Sequence, residues 1–277
     1  MKTDKHTLSR TSAVVRHQQI LEMLAGREAV GVSELTARFR VTAMTIRRDL
    51  EILEQQGSLT RTHGGAILAA PAVVAFAFSE RQQSHLAEKA AIARVAARLV
   101  KPGMTVILDT GTTTLEVARA LRGIAGIKVL TSSLAIASAL LAHDDLELVL
   151  LGGTVSARSP DLSGPLTEDN LGAFRAELAF IGADAVDARG LYTSSQQIAR
   201  VSRAMIANAS RTLLVADSSK FGKTSFARFA GWNQIEGIIT DSGMAAASRR
   251  WLGRITKSAT FAPVGPGDTP RKTRRST

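Results

Sequence analysis

The 277-residue chain contains no cysteine. That excludes disulfides and thiolate metal sites, and it suits a cytoplasmic location. Long apolar stretches are missing too. The longest, Ala66 to Phe78, is 13 residues and contains Pro71. A bilayer span needs about 20, so the stretch reads as a linker and no membrane partner is expected. The N-terminal MKTDKHTLSRTSAVVRHQ has no uninterrupted apolar core, so a secretory signal is not expected. The five histidines are scattered, so neither a metal nor a cofactor is called for. Between Ala188 and Ala216 there is not one Asp or Glu.

What is present is an ordinary soluble composition, 45% hydrophobic and 21% charged, in a length suited to one or two domains. The net charge is +11, but it is unevenly placed. Residues 1–68 hold ten basic and seven acidic side chains, residues 69–248 hold 17 and 16, and residues 249–277 hold eight and one. Most of the excess lies in the tail, so high charge alone argues poorly for specific DNA recognition.

Val30 to Ala66 organises the rest. Thr42 is a good N-cap, since its hydroxyl can accept from an orphan N–H of the next turn. Ile46, Leu50 and Leu53 then recur along one helix face. Met44 and Arg48 lie roughly opposite that face, with Thr45 and Arg47 flanking them. Upstream, Ser33 is expected to cap a short helix that turns Leu35 and Phe39 inward. Two helices joined over Arg40–Thr42, the second exposing arginines near its start, form a helix-turn-helix. Gly57 can end the second helix. Leu59 to His63 alternates as a short strand does, Gly64–Gly65 turns it, and Arg61 and His63 make it a basic wing. An amphipathic helix over Val14–Ala25, ended by Gly26, precedes the motif.

The stretch TIRRDLEILEQQGSLTRTHGGA resembles the signature of the DeoR family of bacterial transcriptional regulators, which usually has Ser where Thr42 stands. That resemblance implies a winged helix-turn-helix followed by a ribose-phosphate isomerase-like α/β domain. The expected division is a DNA-binding domain over 14–68, a linker over 69–86, an effector domain over 87–262 and a basic tail over 263–277. Phe78 to Gln82, with Glu88 and Lys89, resembles the family's lead-in to its second domain. From Met104 onward, short apolar runs alternate with helical segments, which predicts a mostly parallel sheet covered on both faces. The runs are 105–108, 127–130, 146–151, 178–181, 212–215 and 237–240.

Ligands in such a sheet sit beyond the carboxyl ends of the strands. Asp109-Thr110-Gly111-Thr112-Thr113-Thr114 falls there. Gly111 permits close backbone approach, and threonine hydroxyls with helix N-terminal amides can hold phosphate oxygens. No GK[ST] follows, so this is not a nucleoside triphosphatase loop. The segment resembles the family's DSGTTT loop, with Thr110 for Ser. Leu130 to Ser133 has serine where the family commonly has Asn. Gly152–Gly153 is a turn that could equally be structural. Ile181 to Asp184 and Ala216 to Gly222 resemble the family's GADGVD and ADSSKFG motifs, and Lys220 could offer a point charge to phosphate.

The resemblance implies a DNA-binding regulator, a repressor of sugar-metabolism genes released by a phosphorylated sugar and working as a dimer or tetramer. Two other functions compete. An active aldose–ketose phosphate isomerase needs a carboxylate base and an enediolate-stabilising group. Against it, the acid-free window resembles a family segment that commonly carries paired glutamates and a lysine, and here holds Gln197, Ile198, Arg200 and Ser202. A non-specific DNA-binding protein would use the basic tail and need neither a reading helix nor a phosphate loop.

Overall fold

The computed structural model describes residues 12–25, 27–69, 78–156, 159–256 and 258–265. Gly26, residues 70–77 of the expected linker and residues 266–277 of the basic tail lie outside the described residues. The chain divides into two compact units between Ser79 and Glu80.

The first unit runs α1 (Ala13–Ala25), β1 (Val30–Gly31), α2 (Val32–Phe39), α3 (Ala43–Gln55), β2 (Leu59–Thr62) and β3 (Gly65–Leu68). Its core is Ile20, Leu24, Val30, Leu35, Ile46, Leu50, Leu53, Leu59 and Ala66. Each such aliphatic side chain contributes roughly 1.5–3 kcal/mol on full burial. The α2–α3 turn is made by Arg40 in the left-handed region, at φ 51°, and Gly57 at φ 69° follows the end of α3. Two details differ from the sequence reading. Ser33 lies inside α2, whose N-cap is Gly31, and its carbonyl accepts from the Thr36 hydroxyl at 2.7 Å. The wing turns over His63–Gly64, while Gly65 belongs to β3. Gly65 is required by close approach: a Cβ there would stand 1.9 Å from the Val30 carbonyl oxygen.

The second unit opens with a short helix, α4 (residues 78–83), which begins just before the division and falls within the span read as linker. Then follow α5 (Leu86–Ala97), β4 (Thr105–Leu108), α6 (Thr112–Ala120), β5 (Ile127–Thr131), α7 (Leu134–Leu140) and β6 (Leu146–Leu150). A hairpin of β7 (Thr154–Ser156) and β8 (Ser159–Ser163) leads to α8 (Pro165–Gly172) and β9 (Ala176–Ile181). The chain continues through β10 (Ala185–Asp187), β11 (Gly190–Thr193), α9 (Gln196–Ala207), β12 (Ala209–Val215), β13 (Ala227–Ala230), β14 (Gly237–Asp241), α10 (Ala246–Ile255) and β15 (Ala259–Ala262).

Seven strands form one sheet in the order β15-β14-β12-β9-β4-β5-β6, and every pairing in it is parallel. The order runs one way from β4 through β5 and β6, and the other way from β9 through β12 and β14. The switch point is therefore between β4 and β9, where open parallel sheets leave a crevice for ligands. Central strands are apolar throughout because both faces are covered. β6 is an edge strand, which leaves Leu150 42% exposed. A separate antiparallel sheet, β10-β11-β13, carries the chain on from β9.

Candidate functional site

In the first unit, α3 is fixed by its cap and its buried face. The Thr42 hydroxyl accepts from the Thr45 N–H at 3.2 Å. Ile46, Asp49, Leu50 and Leu53 point inward. Met44 is 74% exposed, and Arg47 and Arg48 are exposed beside it. The two arginines and Met44 thus form a solvent-facing surface on the first turns of α3. Arg61 and His63 are exposed on the wing. Arg61 is partly engaged, since its N–H donates to Glu54 Oε1 at 2.9 Å and its guanidinium lies 4.0 Å from Glu54 Oε2.

Asp49 escaped the sequence reading. It is buried, and the Arg16 guanidinium grips both its oxygens at 2.6 and 2.9 Å while His17 Nε2 lies at 2.8 Å. Burial pushes the carboxyl pKa up, but the bonds from Arg16 and His17 outweigh this and hold it below the usual range. The pair ties α1 to α3 and so sets the angle at which the arginine-bearing surface is presented. A charged residue one position from an apolar face was the available signal.

In the second unit the switch point gathers much of the expected site. Asp109 leaves β4 and is 3% exposed. Its Oδ2 accepts from the Gly182 N–H at 3.0 Å, across to the end of β9, and the Ser202 hydroxyl lies 3.4 Å from Oδ1. Burial pushes its pKa up to about 7, against the pull of the Thr110 and Gly182 amides, and the charges of Asp161 and Asp184 push the same way. Gly111, at φ 133°, is the N-cap of α6, and no side chain caps that helix. Thr110, Gly111 and Thr112 are partly exposed, whereas Thr113 and Thr114 are buried. The Thr114 hydroxyl donates to the Gly111 carbonyl at 3.0 Å, bracing the loop from within.

The neighbouring loops meet the same edge. Leu108 is level with Thr131, so Asp109 and Ser132 leave adjacent strands side by side. Ser133 caps α7 through the Ile136 N–H. The Ser132 hydroxyl is buried with no hydrogen-bond partner among the described residues. Asp184 accepts from the Ser194 N–H and hydroxyl at 2.7 and 2.8 Å, with Arg81 at 4.0 Å from its other oxygen. Beyond β12, Asp217 starts a short 3-10 turn over Ser218–Lys220, and its Oδ2 has no partner among the described residues.

Gly152 and Gly153 differ from the others in having an internal explanation. The Gly152 carbonyl accepts from the Thr167 hydroxyl at 2.6 Å, and a Cβ on Gly153 would lie 2.0 Å from Thr167 Oγ1. Close packing against α8 accounts for both.

Asp161 is an addition to the residues singled out from sequence, and Lys89, named there only as part of the lead-in to the second domain, proves to be buried beside the site. Lys89 is 3% exposed on α5, and its ammonium donates to the carbonyls of Arg81 and Ser84. Burial lowers its pKa, and the Asp217 charge opposes this while Lys220 adds to it. Lys89, Asp217 and Lys220 are therefore electrostatic neighbours. A lone lysine in the alanine-rich LAEKAAIARVAA was the visible signal. Asp161 is buried on β8, paired across to Ser133. Nothing local in its sequence distinguishes it from a loop residue.

Two family models match the chain, a DeoR-like helix-turn-helix domain over residues 16–72 and a DeoR C-terminal sensor domain over residues 84–242. The chain belongs to the DeoR family. An HTH-type transcriptional regulator of Bacillus subtilis, YulB, is 36% identical over 90% of this chain and 96% of its own length. The glycerol-3-phosphate regulon repressor of Escherichia coli is 32% identical, over 82% of this chain and 90% of its own. The transcriptional repressor AccR of Agrobacterium fabrum is 36% identical, over 82% and 89%. Among solved structures, a ribose 5-phosphate isomerase from Methanocaldococcus jannaschii is similar over 48% of this chain and 53% of its own, with 21% identity and a TM-score of 0.36.

Membership makes this DeoR-family chain a DNA-binding transcriptional regulator and not an enzyme. The competing isomerase reading falls on that ground. No described helix is long and apolar enough to cross a membrane.

Proposed function

We propose that this regulator is a cytoplasmic repressor that releases its operator when a phosphorylated sugar occupies the switch point of the second unit. Residues 14–68 read DNA and residues 87–262 hold the effector. The observation that carries the effector reading is the meeting of two chemistries at the β4–β9 crevice. The accessible Thr110–Thr112 segment opens an uncapped helix, which suits phosphate oxygens. Asp109 and Asp184, carboxyl groups on the facing strand ends, suit sugar hydroxyls. Lys220 adds a positive charge for the phosphate, with Lys89 as its electrostatic neighbour. Thr113 and Thr114 contribute backbone amides and packing, and Gly152–Gly153 shapes the outer rim.

On DNA, Arg48 and Met44 are assigned to base edges in the major groove, with Arg47, Thr42 and Thr45 at the groove margin and Arg61 and His63 of the wing on phosphate. Two reading helices one DNA turn apart require at least a dimer, and a dimer or tetramer is the proposed working form. The relatives named as repressors, one of them for a glycerol-3-phosphate regulon, support both the sign of regulation and the class of effector. A thermal-shift screen of the full chain against triose, pentose and hexose phosphates tests this. An effector at 100 times its Kd stabilises by about 2.7 kcal/mol, and Thr112→Val with Lys220→Met should erase the shift.

A further inference from the structure

The acid-free window between Ala188 and Ala216 holds four arginines, and the fold treats them in two ways. Arg200 and Arg211 are each held by a carboxylate, Glu168 at 2.9 Å and Glu236 at 2.7 Å. Arg189 and Arg203 have no carboxylate partner among the described residues, and neither does Arg228 opposite them on β13. These three line one concave site of about 490 Å³, with Trp232 and Gln234 completing its wall.

The three arginines are exposed and come from three elements whose backbone is fixed around them. Arg189 sits in the turn between β10 and β11. Gly190 beside it packs so tightly that a Cβ would stand 2.1 Å from the Ala230 carbonyl oxygen, which fixes the turn against β13. Arg203, on α9, donates through Nη2 to the Arg228 carbonyl at 2.7 Å. The Trp232 indole N–H donates to the Asp187 carbonyl at 3.0 Å. The carboxylate of Asp187, the acid in this hairpin, accepts from the N–H groups of Arg189 and Gly190 at 2.7 and 3.1 Å.

Three exposed guanidiniums lining one concavity without an acidic side chain among its lining residues suit an anion, and guanidinium forks match phosphate oxygens two at a time. The volume falls in the range of small-molecule sites. The hairpin separates this place from the effector crevice. Asp184 and Thr193 at one end of it face the strand ends, whereas Asp187 to Gly190 form the other end. We propose that Arg189, Arg203 and Arg228 form a second anion site, distinct from the effector crevice, for a small metabolite bearing two linked phosphates.

Inorganic pyrophosphate is the probe, titrated into the full chain at physiological salt without divalent cations. The chain's two tryptophans report it, since Trp232 lines the site and the Trp251 ring lies tilted against that of Trp232, 5.9 Å between centroids. The expected result is one saturable fluorescence change. Arg189→Gln with Arg228→Gln should weaken it by about tenfold or more, through loss of charge-assisted hydrogen bonds. Thr112→Val should leave it unchanged. Should the Gln pair fail to fold, Arg189→Lys with Arg228→Lys keeps the charge but loses the fork, and should still weaken binding. Three results would overturn the proposal: no saturable change, equal affinity in the arginine variants, or loss of binding in Thr112→Val instead. Weaker operator binding by the arginine variants with unaltered pyrophosphate affinity would also overturn it, making these residues a DNA-backbone contact.

Discussion

The Gly182 N–H donates to Asp109 Oδ2 at 3.0 Å, joining the ends of the two strands between which the sheet order reverses. The bond keeps a buried carboxyl at the switch-point crevice, with Asp161 and Asp184 adding negative charge around it.

That carboxyl sets a pH dependence. Its pKa rises from 3.8 in the unfolded chain to about 7 in the folded one. Between those values the folded state holds a proton that the unfolded state has lost, so stability should fall as pH rises from about 4 through about 7. Asp109→Asn keeps an acceptor for Gly182 and carries no charge. Urea unfolding from pH 5 to 8 should show the variant gaining stability over the native chain as pH rises, while its effector response is lost. Parallel curves for the two proteins would remove Asp109 as the titrating group.

The Arg16–Asp49 pair predicts the opposite slope in the first unit. Its carboxyl pKa is depressed on folding, so its stabilisation is present above the unfolded value near 4 and is lost as pH falls through the lower folded value. Asp49→Ala leaves a buried guanidinium unpaired, which costs about 3–5 kcal/mol. The first unit should melt separately and well below the second in calorimetry, and operator binding should disappear with it.

Much of this was legible in advance where the physics is local. The Thr42 cap, the Ile46–Leu50–Leu53 face and the alternating apolar strands follow from period and side-chain chemistry within a few residues. The hidden features depend on distant partners. Asp49 is buried because Arg16, 33 positions away, answers its charge. Gly65 looked like a turn residue, but it is there for the Val30 carbonyl that packs onto it. The short strands of the β10-β11-β13 sheet carry few residues each, so their alternation was too brief to read. Asp161 gains its place at the crevice only through the pairing of β8 with Ser133.

Adjacent arginines on α3 should divide their work. Arg47 and Arg48 point about 100° apart on the helix. A bidentate arginine–guanine contact gives roughly 1–3 kcal/mol of discrimination. Arg48→Ala should flatten preference at one operator position, and Arg47→Ala should weaken every sequence alike. Anisotropy titrations against single-base operator variants read the difference, and uniform losses for both would dissolve the assignment.

The threonines of the Asp109–Thr114 loop should also separate. Thr112→Val, partly exposed, should lose effector response with little change in melting. Thr114→Val, whose hydroxyl braces Gly111 from a buried position, should cost about 1 kcal/mol of stability through the lost hydrogen bond. Equal effects of the two on both measurements would place the phosphate elsewhere.

The most direct test of the whole account is the recovery of bound duplexes from a random-sequence pool by the full chain, with and without a panel of phosphorylated sugars. The account predicts an enriched sequence with two half-sites about one helical turn apart, retained by the free protein and released by at least one phosphosugar that is recovered chemically unchanged. Retention that is indifferent to sequence, or to every phosphosugar, or release accompanied by conversion of the sugar to its isomer, would contradict it.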